Sequence, residues 1–224
     1  MDRAPWPIGL LFGLSLAVVI LFAGPLLLFN PPFTSALQVR HEVAAAFGTA
    51  QAEIERVTGS YLADIYLGGS FDAALDGDEP LLDEDERSHM RDVSTLVRIL
   101  AAILGVAVVV AVATGMRLRR EPRRQGEIML IAAGSVGATA VLLAVLFAIA
   151  FDWAFAVFHQ LLFPPGTWQF ESGADLITLF PEAFWFDAAL AAGAVIVLTA
   201  TIVTLIGILR WRSGRDPAEP VAQA

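Results

Sequence analysis

Two histidines stand among residues that could support acid–base chemistry near neutral pH, and the first of them is His89. It lies in the segment EDERSHMRDV, with Glu86, Arg87 and Asp92 nearby. No glycine or proline interrupts this segment, so we predict a helix that places His89 and Asp92 one turn apart. The carboxylate could then orient the imidazole or raise its pKa. The competing interpretation is a solvated helix face with ordinary charge pairs, which stabilise little.

The second histidine, His159, lies in the aromatic segment WAFAVFHQLLFPPGTWQF. We predict that Pro164, Pro165 and Gly166 end a helix just after it. A histidine among Phe and Leu must stay neutral or find a partner. The competing interpretation is an interfacial histidine bonded to a backbone carbonyl. If the two histidines meet, they offer a general acid and a general base on one substrate.

Apolar helices are expected to fix the positions of His89 and His159. Four stretches reach the roughly 20 residues that a helix needs to cross a bilayer, and 57% of the 224 residues are hydrophobic. We therefore predict an all-α membrane protein with four transmembrane helices, forming a single membrane domain over residues 1–224. The first stretch is expected to be retained, because no small-residue cleavage site follows it. The four stretches cover about residues 7–29, 95–116, 128–151 and 188–209.

The arginines indicate the orientation, because they flank the same side of all four stretches. By the positive-inside rule that side is cytoplasmic, so both termini are predicted there in a bacterial cytoplasmic membrane. The loops 30–94 and 152–187 are then extracytoplasmic, and His89 and His159 approach the bilayer from the same outer side. The flanking arginines are Arg3, Arg117, Arg119, Arg120, Arg123, Arg124, Arg210, Arg212 and Arg215.

The two predicted outer loops have different patterns. The first contains a helical pattern followed by Gly68, Gly69, Gly77 and Pro80, which predicts a small helical extracytoplasmic cap. His41, near its start, is predicted to be a surface residue.

The second loop contains FESGADLITLFPEAFWFD, in which acidic residues are interspersed among aromatic ones. One interpretation is an amphipathic segment that lies on the membrane and holds a lipid substrate. The other is the aromatic belt found in many bilayer proteins, and Trp168, Phe184 and Trp185 fit either.

Composition excludes several classes of function. The chain has no cysteine, so it supplies neither disulfides nor a cysteine nucleophile, and its net charge of -9 argues against a nucleic-acid partner. Apart from Arg98, the apolar stretches lack charged residues, which disfavours a transporter. A zinc site from His89, His159 and Asp92 or Glu182 is chemically conceivable. No spacing selects it, so we predict no metal and no cofactor.

Several motifs resemble the lipoprotein intramolecular transacylase family of bacterial integral membrane proteins. They are ERSHMRDV at 86–93, FHQLLF at 158–163, Trp168 and DLITLFPEAFWFD at 175–187, and the four-span layout agrees. The resemblance implies an acyltransferase whose partners are membrane lipid and a diacylglyceryl lipoprotein. In that reaction the sn-2 acyl chain moves to the α-amino group of the lipoprotein's N-terminal cysteine, giving a lyso-form lipoprotein. The family's two essential histidines correspond to His89 and His159.

Around this pair we predict supporting residues and a substrate pocket. Glu86, Arg87 and Asp92 are the predicted supporting residues, and Asp92 favours His89 as the base. The other imidazole or Arg87 would stabilise the oxyanion and protonate the alkoxide. The predicted pocket consists of Phe158, Phe163, Trp168, Glu182, Phe184, Trp185 and Asp187.

Two other functions stay open from the residues alone. A non-catalytic lipid-binding or scaffolding protein predicts histidines more than about 10 Å apart, beyond a hydrogen bond or one bridging water. A metal-dependent lipid hydrolase predicts that the histidines converge and that a chelator abolishes activity.

Overall fold

The computed structural model describes residues 4–214, and the predicted all-α class is confirmed for this part of the chain. The described residues form nine α-helices and one 3₁₀ helix, with no β-strand among them. In chain order the elements are α1 (Trp6–Phe22), the 3₁₀ helix (Pro25–Phe29), α2 (Pro31–Arg40), α3 (Val43–Ala46), α4 (Gln51–Leu67), α5 (Glu84–Leu118), α6 (Pro122–Ile149), α7 (Phe151–Leu162), α8 (Asp175–Leu179) and α9 (Glu182–Ser213).

Three of these helices, α5, α6 and α9, are long and apolar enough to cross a membrane, whereas α1 has 17 residues and is shorter. The first predicted stretch, 7–29, is therefore not one helix. It ends as an α-helix at Phe22, and Pro25 opens the separate 3₁₀ helix. Proline lacks a backbone N–H and its ring clashes with the carbonyl group four residues earlier, which explains why the α-helix does not continue.

The continuous helix predicted through His89 into the second apolar stretch is confirmed, because α5 extends unbroken over 35 residues. Its start is fixed by two reciprocal hydrogen bonds. Asp83 Oδ1 accepts from the Glu86 backbone N–H at 2.8 Å, and Glu86 Oε2 accepts from the Asp83 N–H at 2.9 Å. This is a capping box with aspartate at the cap, and it holds His89 one turn inside the helix.

His159 does not lie at the end of the third long helix as expected. Helix α6 ends at Ile149, Ala150 leaves helical geometry at φ −137° and ψ 52°, and His159 belongs to the separate α7. No glycine or proline marks the break, but Asp152 lies in the first turn of α7, where a carboxylate is favoured. Helix α7 ends before Pro164, as predicted.

The segment 170–187, for which two interpretations were open, is not one continuous element. Residues 175–179 form the short α8, and the residues from Glu182 onwards are the first turns of α9. The acidic and aromatic side chains of this segment are thus distributed over two helices.

The described chain divides into two compact units. The first contains residues 4–22, 104–140 and 196–214, and its core includes Phe12, Leu118 and Met129. In this unit α6 and α9 approach closely, because a Cβ on Gly126 would lie 2.5 Å from the carbonyl oxygen of Gly207. Glycine is therefore required at that crossing.

The second unit contains residues 23–103 and 141–195, and it includes both candidate histidines. Its core is built around Tyr61, Phe71 and Leu179, all almost fully buried. The buried Gln38 of α2 joins α4 and α8 by donating to Thr58 Oγ1 at 2.9 Å and to the Leu179 carbonyl at 3.3 Å. Helices α2 and α4 are thereby fixed against the segment that leads into α9.

Candidate functional site

The structure brings the two histidines of the second unit together. The ring centroids of His89 and His159 lie 6.1 Å apart, and the ring planes are inclined by 31°. A direct hydrogen bond between two imidazoles would bring their centroids to about 5 Å, so these rings are not bonded to each other. This separation is suitable for two side chains that both contact one reacting group of a substrate placed beside them.

His159 has a defined hydrogen-bonding state. Its Nδ1 donates to the backbone carbonyl oxygen of Phe155, one helical turn earlier, at 2.8 Å. With the proton on Nδ1, Nε2 carries the lone pair and can accept a proton. Burial lowers the pKa of His159, and the hydrogen bond to Phe155 opposes this effect only in part. The ring is therefore neutral near pH 7 and available as a base.

His89 is more deeply buried, with 6% of its surface exposed. Its Nδ1 makes no hydrogen bond with any residue in 4–214. The ring lies outside the apolar stretch 95–116, and burial lowers its pKa to about 4, with His159 acting in the same direction. His89 is thus a neutral imidazole with an unused polar atom.

Asp92 does not orient His89, contrary to expectation. No hydrogen bond or ion pair joins Asp92 to the imidazole within the described part of the chain, because the ring packs against Phe163 and Phe170 instead. His159 is therefore the ring with a fixed tautomer, whereas His89 lacks the carboxylate partner expected for it.

Five rings surround the two imidazoles and are called the aromatic cluster: Phe155, Phe158, Phe163, Trp168 and Phe170. Phe163 contacts both histidines, with centroids 4.8 Å from His89 and 5.5 Å from His159. Phe170 lies 5.7 Å from His89, and Trp168 lies 5.0 Å from His159. Phe155 and Phe158 lie 4.1 and 5.3 Å from His159. The imidazoles therefore occupy an apolar, aromatic environment.

Three of the predicted pocket residues, Phe158, Phe163 and Trp168, belong to this cluster. Sequence reasoning missed Phe155 and Phe170 as site residues. Phe155 precedes His159 by four residues, and this one-turn spacing on a helix was a signal that could have identified it. Phe170 lies in an irregular segment, where no periodicity indicates a contact with His89.

The other predicted pocket residues lie away from the two imidazoles. Glu182 shares a hydrogen bond with Asp152, and Phe184 is buried against Leu37 in a separate cluster. Trp185 reaches the site only indirectly, through a ring contact of 6.5 Å with Phe155.

His41 is not the surface residue that the sequence suggested. Its Nε2 lies 2.9 Å from Asp187 Oδ2, and 17% of its side chain is exposed. Arg40 Nε also reaches Asp187 Oδ2, at 3.1 Å. The end of α2 packs against the start of α9 through Leu37 and Phe184, which brings these side chains together. Asp187 thus holds α2 rather than lining the pocket at His89 and His159.

The predicted supporting residues Glu86 and Arg87 do not contact the imidazoles directly. Glu86 is 1% exposed, and its Oε1 accepts from the Leu176 backbone N–H at 2.8 Å. One carboxylate therefore joins the start of α5 to the start of α8. Arg87 donates to Glu84 at 2.9 Å, and its buried Nε has no hydrogen-bond partner among residues 4–214.

The two histidines and the nearby carboxylates that the structure describes do not form the ligand arrangement of a zinc site. Within residues 4–214, no three His, Cys, Asp or Glu side chains are placed to hold one metal ion. A catalytic zinc ordinarily has three protein ligands, and here Asp92 and Glu182 do not join the histidine pair.

Comparisons with known proteins agree with this fold. The family model for lipoprotein intramolecular transacylase Lit matches residues 9–185. The in meso structure of the membrane integral lipoprotein intramolecular transacylase Lit from Bacillus cereus is similar, with a TM-score of 0.80, 20% identity and coverage of 92% of this chain and 95% of that one. A variant of that protein with a histidine-to-arginine mutation gives a TM-score of 0.73 at 20% identity, covering 92% and 91%.

A sequence relative extends over a shorter region. An uncharacterised protein of Aquifex aeolicus (strain VF5) is 34% identical over 59 residues, which are 26% of this chain. The match spans 27% of that relative's own length.

Proposed function

The chain belongs to the lipoprotein intramolecular transacylase family, and we propose that it transfers an acyl chain within diacylglyceryl-modified lipoproteins. The chain moves from the glycerol sn-2 ester to the α-amino group of the lipoprotein's N-terminal cysteine. The observation that carries the proposal is the pair of imidazoles with centroids 6.1 Å apart, one of which has its tautomer fixed by a backbone carbonyl.

The reaction requires a proton to pass from nitrogen to oxygen. The substrate amine has an ordinary pKa of about 7.7–8.0, so an uncharged fraction is available near neutral pH. Its nitrogen attacks the ester carbonyl carbon, a C–N bond forms, and His159 Nε2 takes a proton from the nitrogen. His89 donates an N–H to the oxyanion. The ester C–O bond then breaks, the glycerol oxygen takes the proton from His159, and both rings are neutral again.

The substrate supplies both reacting groups, which reduces what the enzyme must provide. Because the amine and the ester belong to one molecule, holding them in contact removes a large entropic part of the barrier. The neutral, aromatic surroundings of the rings also favour the uncharged amine over its ammonium form. A covalent acyl-enzyme intermediate is therefore unnecessary.

The protein is a bacterial membrane protein, and we place its termini in the cytoplasm and its histidines at the extracytoplasmic face. Four spans, in α1, α5, α6 and α9, form one membrane domain, with α2–α4 as an outer cap. The arginine-rich helix ends support this orientation by the positive-inside rule. Within the first unit these ends associate, since Arg124 donates to the Ala4 carbonyl and Arg210 to Gln125.

The test uses the purified wild-type protein in detergent micelles with a synthetic diacylglyceryl lipopeptide. We expect a product of unchanged mass whose fragmentation places one acyl chain on the cysteine nitrogen, formed equally fast with and without EDTA. No N-acylated product would overturn the proposal. Release of fatty acid that stops with EDTA would instead identify a metal-dependent lipid hydrolase.

A further inference from the structure

We propose that Phe163, Trp168 and Phe170 select the nucleophile, by keeping water from the acyl carbon so that the substrate amine attacks it. This inference rests on the proposed function and adds a determinant of its outcome. The three residues are part of the aromatic cluster and lie in the segment between α7 and α8.

The histidine pair cannot by itself distinguish an amine from water. A neutral His159 Nε2 accepts a proton from either nucleophile as it attacks. With water, the oxygen bonds to the acyl carbon, the ester C–O bond breaks, and the glycerol oxygen takes the proton. The products are a free fatty acid and a lyso-form lipopeptide with a free amine. Because water is abundant at a membrane surface, preference for the amine requires its exclusion.

The rings of the segment make the surroundings of the imidazoles unfavourable for water. An ordered water needs about two to four polar partners. Phe163 and Phe170 lie against His89 and offer none, and Phe163 is itself only 7% exposed. Trp168 lies 5.0 Å from His159, with its ring plane inclined by 31° to the imidazole. This apolar space therefore favours binding of the acyl chain and its linked amine, which belong to one substrate molecule, over binding of water.

The segment is held at both ends, which fixes these rings in place. At its start, the Phe163 N–H donates to the His159 carbonyl at 2.9 Å. Beyond its end, the Leu176 N–H donates to the buried carboxylate of Glu86 at 2.8 Å. The segment is thus attached to both helices that carry the catalytic histidines.

The experiment measures two products from one reaction. Phe163→Ala and Trp168→Ala are incubated with the diacylglyceryl lipopeptide in H₂¹⁸O, and mass spectrometry quantifies ¹⁸O-labelled fatty acid and N-acylated lipopeptide. We expect the ratio of fatty acid to N-acylated product to rise by about tenfold or more in Phe163→Ala, with a smaller rise in Trp168→Ala, as exclusion of a competing nucleophile requires. The control is Leu161→Ala, which alters a nearby exposed side chain on α7.

An unchanged product ratio in folded variants would overturn the inference, whether total activity falls or not. If Phe163→Ala does not fold, Trp168→Ala decides the question, because Trp168 is only half-buried. Failure of the proposed function is distinguishable, since the wild-type protein would then form no N-acylated product.

Discussion

Replacing His159 with glutamine is expected to lower the rate of N-acylation by about 10²- to 10⁴-fold, the range that a positioned general base contributes. Glutamine retains polarity and similar bulk, and its side-chain amide lies near the position of Nε2. It has no basic lone pair in place of Nε2. The measurement is the initial rate of N-acylated lipopeptide formation, followed by mass spectrometry.

The matched control is the adjacent, exposed Gln160, changed to alanine. A surface substitution of this kind should leave the rate within about twofold of wild type. A folded His159→Gln protein with a rate equally close to wild type would contradict the assignment of His159 as the base.

Replacing Glu86 with glutamine produces the largest expected loss of stability. The carboxylate of Glu86 accepts one hydrogen bond at each oxygen, from Asp83 and Leu176, while almost fully buried. Glutamine turns one acceptor into a donor that faces a backbone N–H. Loss of a hydrogen bond to a charged group costs about 1.5–3 kcal/mol. In a chain of this size that corresponds to a fall in Tm on the order of 3–12 °C.

Thermal unfolding in detergent, followed by tryptophan fluorescence, measures this change. Asp85→Asn is the matched control, because it removes one negative charge at the neighbouring, exposed position. We expect its Tm to stay close to that of wild type. Equal Tm values for the two variants would contradict a specific stabilising role for the two buried hydrogen bonds of Glu86.

The sequence predicted the parts of the site that depend on local pattern. Helix α5 was predictable because the segment 84–118 contains no proline. Its two glycines, Gly105 and Gly115, are tolerated within a helix. The end of α7 was predictable from the prolines that follow it. The approach of His89 to His159 was anticipated, because both loops were predicted on one side of a membrane.

The remaining features depend on tertiary contacts that no local pattern contains. Asp187 is 146 residues from His41 along the chain, so its partner could not be read from spacing. Asp92 was the expected partner of His89 because it lies one turn away, but burial among aromatic rings turned the imidazole elsewhere. The break at Ala150 carries no glycine or proline, so a continuous helix was the reasonable prediction.

If both imidazoles act on one lipoprotein molecule, a structure of the protein with an unreactive substrate analogue should show that molecule in contact with both rings. The analogue carries an ether in place of the sn-2 ester and retains the free α-amino group. We predict that its amine nitrogen lies within about 2.6–3.2 Å of His159 Nε2, with the replaced ester beside His89. An analogue whose amine and glycerol both lie more than about 10 Å from the two rings would rule out joint action of the two histidines on one substrate.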